Sequence, residues 1–274
     1  MLKDQLSKAT LIVCHPDDEN LWFSSVLATI GRIIIVYGPS PYEITITAGR
    51  KEASRKHPLP NAEFWNYTES MCFQGGNWSS PVLDDMGLKL RASGPLPGYD
   101  RELYERNFRS LVSDIKSVAE DSSLIITHNP WGEYGHEEHV MLHNAVVNTA
   151  KSIGTPVWYN NYASDRSMQL MSMYLRGEQP FFETLDTDTK LAKQIQRHYE
   201  QNNCWTWPFP NYVWPNQEAM ICHNAKGALS ISGSSLPINY IDVDGGYRPE
   251  DTIQAKNNFP RKIANKLKKV FNAK

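Results

Sequence analysis

The sequence has few of the features that mark secreted or membrane-spanning proteins. Its four cysteines are far apart and form no CxxC pair, which disfavours a disulfide framework and an all-cysteine zinc site. No apolar run approaches the ~18 residues that span a bilayer. The N-terminal stretch MLKDQLSK also lacks the apolar core of a signal peptide. We therefore expect a cytoplasmic protein whose thiols are reduced.

An excess of charge of one sign is absent as well. The 274 residues include 28 Lys and Arg against 30 Asp and Glu, a net charge of -2. This balance gives no positive field to attract a polyanion, so we expect no nucleic-acid partner. The length and the lack of a low-complexity linker favour a single domain over 1–274. Its core would lie at about 8–200, followed by an extension with a basic tail helix at about 201–274.

Short apolar runs alternate with amphipathic segments along most of the chain. Buried strands are predicted at 10–14, 32–38, 123–128 and 156–162, and helices at 100–119, 135–154 and 189–201. This alternation predicts an α/β fold with a mainly parallel sheet flanked by helices. Beyond residue 204 the pattern becomes irregular, and we expect short strands and loops there.

Other segments carry weaker signals. Apolar residues at helical spacing predict a helix over 21–30 that Gly31 ends. ITITA at 44–48 is interpreted as a third strand or a continuation of the second, and the charged stretch 49–56 as a short helix. Between 57 and 98, short strands are expected near 62–67 and 81–86.

The first chemically distinctive stretch is HPDDE at 15–19, directly after the first strand. Ligand sites of open α/β sheets lie at the carboxyl ends of the strands. A helix N-terminus stabilises acidic side chains, and this effect alone would explain one or two of the acids. It does not explain His15, which gains nothing from a helix N-terminus. A His and an Asp three residues apart can reach one cation, so capping and metal binding both remain open for this stretch.

A second stretch, THNPWGEYGHEEHVMLH at 127–143, again follows a buried strand and opens a helix. His136 and His139 are three residues apart and lie on one side of that helix. The glycine-punctuated loop before them is of the kind that often contains site residues. We therefore expect both stretches at the same edge of the sheet. A single histidine on a helix is more often a core or surface residue than a ligand, and His143 is interpreted in that way.

Together, His15, Asp18 and His139 form a set of two histidines and one carboxylate. Three protein ligands with an open fourth position are typical of a catalytic zinc ion rather than a structural one. Asp17 and His136 are then left as acid–base candidates. Spacing does not fix these labels, because the two aspartates, or the two helical histidines, can exchange roles. The same donors also suit Fe²⁺, Co²⁺ or Mn²⁺.

HPDDE at 15–19, with GEYGHEEH at 132–139, resembles the PIG-L/LmbE-like family of zinc-dependent N-acetylglucosaminyl deacetylases. The family pattern is AHPDDE followed, more than a hundred residues later, by a GHxDH-type motif. Cys14 stands here for the usual Ala, and Glu138 for the usual Asp. The resemblance covers roughly residues 8–160 and implies a Rossmann-like sheet, in agreement with the strand and helix pattern.

The resemblance also implies roles for individual residues. It implies that the zinc ligands are His15, Asp18 and His139, that the general base is Asp17, and that Tyr134 helps to polarise the carbonyl. It further implies that His136 stabilises the oxyanion and assists the leaving amine. The family's Arg-x-x-Glu helix is represented here only by TAGRKEA at 47–53, which makes Arg50 a candidate sugar contact.

The implied reaction is hydrolysis of the N-acetyl group of an amino sugar or glycoconjugate, in glycan, lipopolysaccharide or glycolipid biosynthesis. An alternative is a zinc amidohydrolase acting on a nucleotide sugar, a thiol-sugar conjugate or an antibiotic-like glycoside. A different class is a module that binds sugar or metal without turnover. All five expected chemical positions are present, which disfavours that last class.

Two C-terminal features complete the sequence-based picture. The proline-stiffened stretch WTWPFPNYVWP at 205–215 makes Trp205 and Trp207 candidate substrate contacts, since aromatic faces stack on sugars, although packing in a core or a subunit interface is the alternative. The tail at 260–274 has six basic residues, no acid and an apolar helical face. That pattern favours peripheral contact of 261–274 with an anionic membrane, at its inner face, or a terminal helix docked on the body.

Overall fold

The structure is a computed structural model, which describes residues 2–94, 96–176, 180–207, 212–223, 235–242 and 246–247. The predicted tail helix and its membrane contact at 261–274 lie outside these residues. The helices are α1 (Leu2–Gln5), α2 (Asp18–Trp22), α3 (Ile44–Arg55), α4 (Arg101–Asp121), α5 (Glu137–Ile153), α6 (Met168–Leu175) and α7 (Thr189–Gln201). The strands are β1 (Thr10–Val13), β2 (Arg32–Tyr37), β3 (Ala62–Tyr67), β4 (Leu83–Asp84), β5 (Gly87–Leu88), β6 (Ile125–Thr127), β7 (Val157–Tyr159), β8 (Tyr162–Ser164), β9 (Phe182–Asp186), β10 (Gln217–Cys222), β11 (Asn239–Asp242) and β12 (Gly246–Tyr247).

Seven of the strands form one central sheet in the order β3-β2-β1-β6-β7-β10-β9. The first five strands in this order, which are β3, β2, β1, β6 and β7, are parallel to one another. β10 is antiparallel to both of its neighbours. The predicted α/β fold with a mainly parallel sheet flanked by helices is therefore confirmed. The irregular C-terminal strands are present as well, since β8, β11 and β12 form a small second sheet.

The inner strands of the central sheet are buried on both faces: β1 is buried at every position and β2 at every position after Arg32. Alternate residues of one strand point to opposite faces. Accordingly, Leu11 and Val13 of β1 belong to one hydrophobic cluster, whereas Ile12 belongs to another. The second cluster includes the packed faces of α4 and α5. No helix in the described part of the chain is long and apolar enough to cross a membrane.

The interpretation of ITITA at 44–48 as a strand is wrong, since α3 begins at Ile44 and continues through the predicted charged helix. Its β-branched residues favour a strand only where a sheet buries them. Here Ile44 is 82% exposed, so burial does not select a strand. Instead, the hydroxyl of Thr47 accepts a hydrogen bond from Ser40 N and donates one to Ser40 O, both at 2.9 Å, which ties the first turn to the preceding loop.

The helix predicted over 21–30 is also shorter in the structure, because α2 ends at Trp22 and turns follow. A longer helix would include a hydrogen bond from Ser25 N to the carbonyl of Leu21. Instead, Ser25 N donates to the Glu218 carboxylate (3.0 Å), and the Tyr212 hydroxyl donates to Leu21 O (2.9 Å). C-terminal side chains thus replace the helical ladder.

Candidate active site

The two histidine-containing stretches meet at one edge of the central sheet. β1 and β6 are parallel neighbours, with Ile12 paired to Thr127. HPDDE follows β1, and the loop to α5 follows β6, so both leave the sheet at the carboxyl ends of adjacent strands. The location predicted from the sequence is therefore confirmed, and it is the usual ligand edge of an open α/β sheet.

His15, Asp18 and His139 bring three donor atoms together at this edge. Oδ2 of Asp18 lies 3.1 Å from Nδ1 of His15 and 3.2 Å from Nε2 of His139. All three atoms lie within 4.8 Å of one another, and each residue is at most 6% exposed. Ligands at about 2.0–2.2 Å around a tetrahedral ion are about 3.3–3.6 Å apart, close to these separations. The three residues therefore fit a metal ion.

The second nitrogen of each imidazole is bound to a carboxylate. His139 Nδ1 lies 2.6 Å from Glu133 Oε2, and His15 Nε2 lies 3.1 Å from Glu138 Oε2. His139 Nε2 is buried and forms no well-aligned hydrogen bond with any described residue. A carboxylate behind an imidazole fixes its orientation and increases its basicity as a ligand. The orphaned Nε2 is the atom that an ion would use.

Glu133 is itself firmly held. Its Oε1 accepts hydrogen bonds from Asn129 N (3.0 Å) and Asn160 Nδ2 (2.6 Å), and its Oε2 also faces His128 Nδ1 at 3.0 Å. Burial alone would raise the pKa of Glu133, but the two facing imidazoles, His128 and His139, lower it to about 2. Glu133 is therefore a permanent anion behind the candidate ligand.

Two other groups of potential ligands overlap this set, one made of Cys14, His128 and His139 and one of His15, His136 and Glu138. In the first group, His128 Nε2 already accepts a hydrogen bond from Cys14 N (2.9 Å), and burial raises the pKa of the Cys14 thiol. In the second, Glu138 Oε1 accepts from Ser70 N and Oγ while its Oε2 faces His15. The Cys14 thiol is thus a poor ligand, and the second group lacks the orphaned Nε2 of His139, which favours the set with Asp18.

Asp17 lies beside the donor set in an unusual backbone conformation. Its φ is +102°, in the left-handed region, and its N–H donates to Glu19 Oε2 at 3.1 Å. Its carboxylate accepts hydrogen bonds from the backbone and the hydroxyl of Thr206. Burial and the neighbouring Asp18 raise the pKa of Asp17 to about 7, although Thr206 opposes that shift. A carboxyl group with this pKa can exchange a proton near neutrality.

His136 and Tyr134 lie beside His139 of the donor set. The His136 ring stacks on that of His139, with centroids 4.7 Å apart, and on Phe73 at 5.0 Å. Its Nδ1 accepts a hydrogen bond from Glu138 N (3.2 Å), so in the neutral ring Nε2 bears the proton. The Tyr134 ring lies 5.6 Å from that of His139. Burial lowers the pKa of His136 and raises that of Tyr134, which leaves both neutral and able to donate.

The candidate substrate contacts are less open than the sequence indicates. Arg50 is 5% exposed and is bonded to Gly38 O (3.2 Å) and to the Glu69 carboxylate. Trp207 is 8% exposed and packs against Trp22 and Tyr134, with centroids 5.4 and 5.7 Å apart. Trp205 is partly buried. Contact of these three residues with a substrate stays a prediction.

Three residues at the site were not predicted from the sequence. His128 is the last residue of the predicted strand 123–128, and this position at a strand end is the signal that could have identified it. Glu133 stands between Gly132 and Gly135 in a loop where all three have positive φ, a pattern that marks a tight, specific turn. Thr206 gave no signal, because only the folded chain brings it to Asp17.

No family model matches the chain, and no curated protein matches it in sequence. One of the solved structures that it resembles supports a shared fold. A crystal structure of a deacetylase–bog complex from the biosynthesis pathway of teicoplanin has a TM-score of 0.51 at 13% identity, over 78% of this chain and 97% of that one.

Two further structures match less well. The zinc-inhibited form of teicoplanin deacetylase Orf2 has a TM-score of 0.49 at 12% identity, over 78% of this chain and 97% of that one. The A40926 pseudoaglycone deacetylase Dbv21 has a TM-score of 0.41 at 16% identity, over 79% and 96%. At such identities a likeness shows the fold alone, and the first structure supports it. Membership of the PIG-L/LmbE-like family stays a prediction.

Proposed function

We propose that this protein is a metal-dependent hydrolase that removes the N-acetyl group from an amino sugar or glycoconjugate. The observation that supports this function best is the buried set of His15, Asp18 and His139, with a carboxylate behind each histidine and Asp17 beside it. Structural metal sites are usually closed by four protein ligands, whereas three ligands leave a position for water or substrate. This donor set therefore favours a catalytic ion over a structural one.

The ion proposed is Zn²⁺, and Fe²⁺, Co²⁺ or Mn²⁺ would suit the same donors. When bound, a divalent cation supplies Lewis acidity, which polarises the acetamide carbonyl and lowers the pKa of a water. Asp17 takes the proton from the attacking water as its oxygen adds to the carbonyl carbon. The pKa of Asp17, raised to about 7, suits this task at neutral pH.

His136 and Tyr134 act on the carbonyl side. His136 donates from Nε2 to the developing oxyanion, and the hydroxyl of Tyr134 is a second donor, in a site where burial strengthens such bonds. The C–N bond then breaks, and the departing nitrogen takes from Asp17 the proton that Asp17 removed from the water. The products are acetate and a free amino sugar, so atoms and charge balance without a further reactant.

The amino-sugar substrate rests on two lines of support. HPDDE and GEYGHEEH resemble the motifs of N-acetylglucosaminyl deacetylases, and the neighbour with a TM-score of 0.51 is named as a deacetylase of teicoplanin biosynthesis. That second line favours an antibiotic-like glycoside as the alternative substrate. We place the enzyme in a reducing compartment such as the cytoplasm, since all four of its cysteines are free thiols.

The deciding experiment is acetate release from a panel of N-acetyl amino sugars, free, nucleotide-linked, lipid-linked and attached to an antibiotic-type aglycone. Each is assayed with and without a chelator, and the Asp18→Asn variant serves as the matched loss of one proposed ligand. Acetate release that the chelator abolishes supports the function and identifies the substrate class. One metal ion per chain with no acetate from any substrate would favour a silent binding module instead.

A further inference from the structure

A threonine far from both histidine-containing stretches holds the carboxylate of Asp17. Thr206 donates two hydrogen bonds to the same oxygen, Oδ2, from its backbone N at 2.8 Å and from its hydroxyl at 2.7 Å. The two residues are 189 positions apart. Oδ1 of Asp17 accepts no hydrogen bond from the described residues. Because Oδ2 is doubly occupied, Oδ1 is the oxygen left to take a proton.

The position of Thr206 does not depend on Asp17. On one side, Cys204 is fully buried, and its N–H donates to Tyr199 O at the end of α7 (3.0 Å). On the other side, Trp207 is buried against Trp22 and Tyr134. These two anchors fix the short segment 205–207 across Asp17. Thr206 itself is exposed, whereas Asp17 is 1% exposed, so the segment covers the carboxylate from the solvent side.

The backbone and the side chain of Asp17 are held by different residues. A non-glycine residue at φ +102° is strained, and the bond from its N–H to Glu19 Oε2 fixes the main chain but leaves the side chain free to rotate. The two bonds from Thr206 remove that freedom, because they define both the position and the tilt of the carboxylate. Each is a bond to a charged acceptor, which is the stronger kind.

We propose that Thr206 is a positioning residue of the hydrolytic reaction: its hydroxyl and amide hold Asp17 Oδ2 so that Oδ1 faces the attacking water. This inference rests on the proposed function, in which Asp17 is the base. It also implies that the segment 205–207 has a function other than stacking on a sugar. Trp205 and Trp207 then flank a residue that completes the active site from the C-terminal extension.

The test compares Thr206→Val, which removes the hydroxyl at constant shape, with Thr206→Ser, which keeps it. Because valine and threonine have nearly the same shape, the change leaves no cavity. We expect Thr206→Val to lower kcat about 10-fold or more with little change in KM, as for loss of a hydrogen bond to a charged group. Thr206→Ser recovers most of the turnover. The matched control is Thr155→Val, which removes a hydroxyl bonded to Ala119 O (2.7 Å), away from the site.

A double-mutant cycle distinguishes positioning from a general structural effect. In the Asp17→Asn background, Thr206→Val should cause little further loss, because its effect passes through the carboxylate. An equal loss in both backgrounds, or wild-type turnover in Thr206→Val, would overturn the inference. Unfolding temperatures and metal content, measured on every variant, report separately on folding.

Crystal structures of the Thr206→Val and Thr206→Ser variants provide a readout that does not require a substrate. We expect the Asp17 carboxylate to rotate in the valine variant and to keep its orientation in the serine variant. An unchanged carboxylate in Thr206→Val refutes the positioning role. If wild-type protein releases no acetate from any N-acetyl sugar, the proposed function fails, and these structures still decide what Thr206 does to Asp17.

Discussion

Asp17 and Asp18 are adjacent in sequence, yet their surroundings separate their pKa values. Burial would raise both, but the imidazoles of His139 and His15 hold the pKa of Asp18 well below its usual value. Asp17 faces no imidazole and has the Asp18 charge beside it, so its pKa rises to about 7. When the surroundings separate the pKa values of two neighbouring groups in this way, the two groups can take different roles in acid–base catalysis. Asp18 stays an anion that can bind a cation, and Asp17 can exchange a proton.

The Asp17→Asn variant is therefore expected to bind the metal normally and to have a much lower kcat. Asparagine tolerates the left-handed backbone at this position, so the fold should be preserved. Loss of a general base lowers turnover on the order of 10²–10⁴-fold. The measurement is kcat for acetate release, together with metal content per chain. Asp18→Asn is the matched control, because the same change one residue later should release the metal. Near-normal turnover in Asp17→Asn would remove it from the role of base.

Glu133 offers a second test, since it contacts the candidate ligand His139 but not the ion itself. Glu133→Gln removes the charge behind the imidazole and should weaken metal binding about 10–100-fold. Competition with a chromophoric chelator measures this affinity. Glu137→Gln is the control: Glu137 is equally buried but binds Gly76 N (2.9 Å) and Trp78 Nε1 (2.8 Å) rather than a histidine. Equal affinities in the two variants would contradict the orienting role of Glu133.

Two glycines with left-handed backbones flank α5 and differ in their surroundings. Gly135 precedes the helix at φ +93°, and a Cβ there would lie 2.8 Å from Cγ of Arg166. Gly154 ends the helix at φ +91°, and a Cβ there would meet nothing within 4 Å. The Arg166 guanidinium lies 4.7 Å from the centroid of the Phe73 ring, which in turn stacks on His136. A change at Gly135 therefore reaches the active site, whereas one at Gly154 does not.

Alanine at either position should cost about 1–2 kcal/mol of stability, because both force a side chain into the left-handed region. Gly135→Ala should in addition lower turnover about 10-fold, since small displacements at a reacting centre are costly. Gly154→Ala should keep wild-type turnover. Denaturant titration and acetate release on the two variants check both statements. Equal activities would show that the contact between residue 135 and Arg166 has no influence on the site.

The elements that could be predicted from the sequence are those whose signal is local. Buried parallel strands are continuous apolar runs, and α5 and α7 have regular periodicity with clear ends, such as Gly154. The pattern at 44–48 predicts a strand, yet the segment is helical because Ile44 and Thr45 are exposed and no sheet buries its β-branched residues. α2 is shorter than predicted because Glu218 and Tyr212, about two hundred residues away, bind the backbone groups that would continue the helix. Long-range contacts of this kind cannot be recognised in the local sequence pattern.

The candidate site likewise contains residues with a local sequence signal and residues that only the tertiary fold brings together. His15, Asp18 and His139 follow strand ends that the apolar runs locate, so their meeting at one edge was predictable. Glu133 and His128 lie within the quoted second stretch but were not singled out, since neither has ligand spacing. Thr206 reaches Asp17 only because Cys204 and Trp207 are anchored in the core. Side chains that orient other side chains depend on the tertiary fold, whereas the donor residues depend on short motifs.

Many buried carboxylates lie in the two stretches that follow β1 and β6. Six carboxylates in and around the two site stretches are at most 3% exposed: Asp17, Asp18, Glu19, Glu133, Glu137 and Glu138. Glu137 pairs directly with Arg166, and an imidazole faces each of Asp18, Glu19, Glu133 and Glu138. Asp17 is bound by Thr206 instead. Buried charge is unfavourable unless it is paired. A divalent cation among these groups should therefore stabilise the whole fold as well as serve the reaction.

Metal binding should accordingly raise the unfolding temperature of the protein. An ion present at 100 times its Kd stabilises the folded state by about 2.7 kcal/mol, and for a chain of this size about 1 kcal/mol corresponds to roughly 2 °C. We expect a rise of roughly 5 °C on adding Zn²⁺ to chelator-treated protein, measured by calorimetry. His139→Gln, which removes one donor and keeps the surrounding carboxylates, should show little of that rise. An equal rise in this variant would mean that the ion binds elsewhere, because a site built on His15, Asp18 and His139 cannot stabilise a chain that has lost one of its three donors.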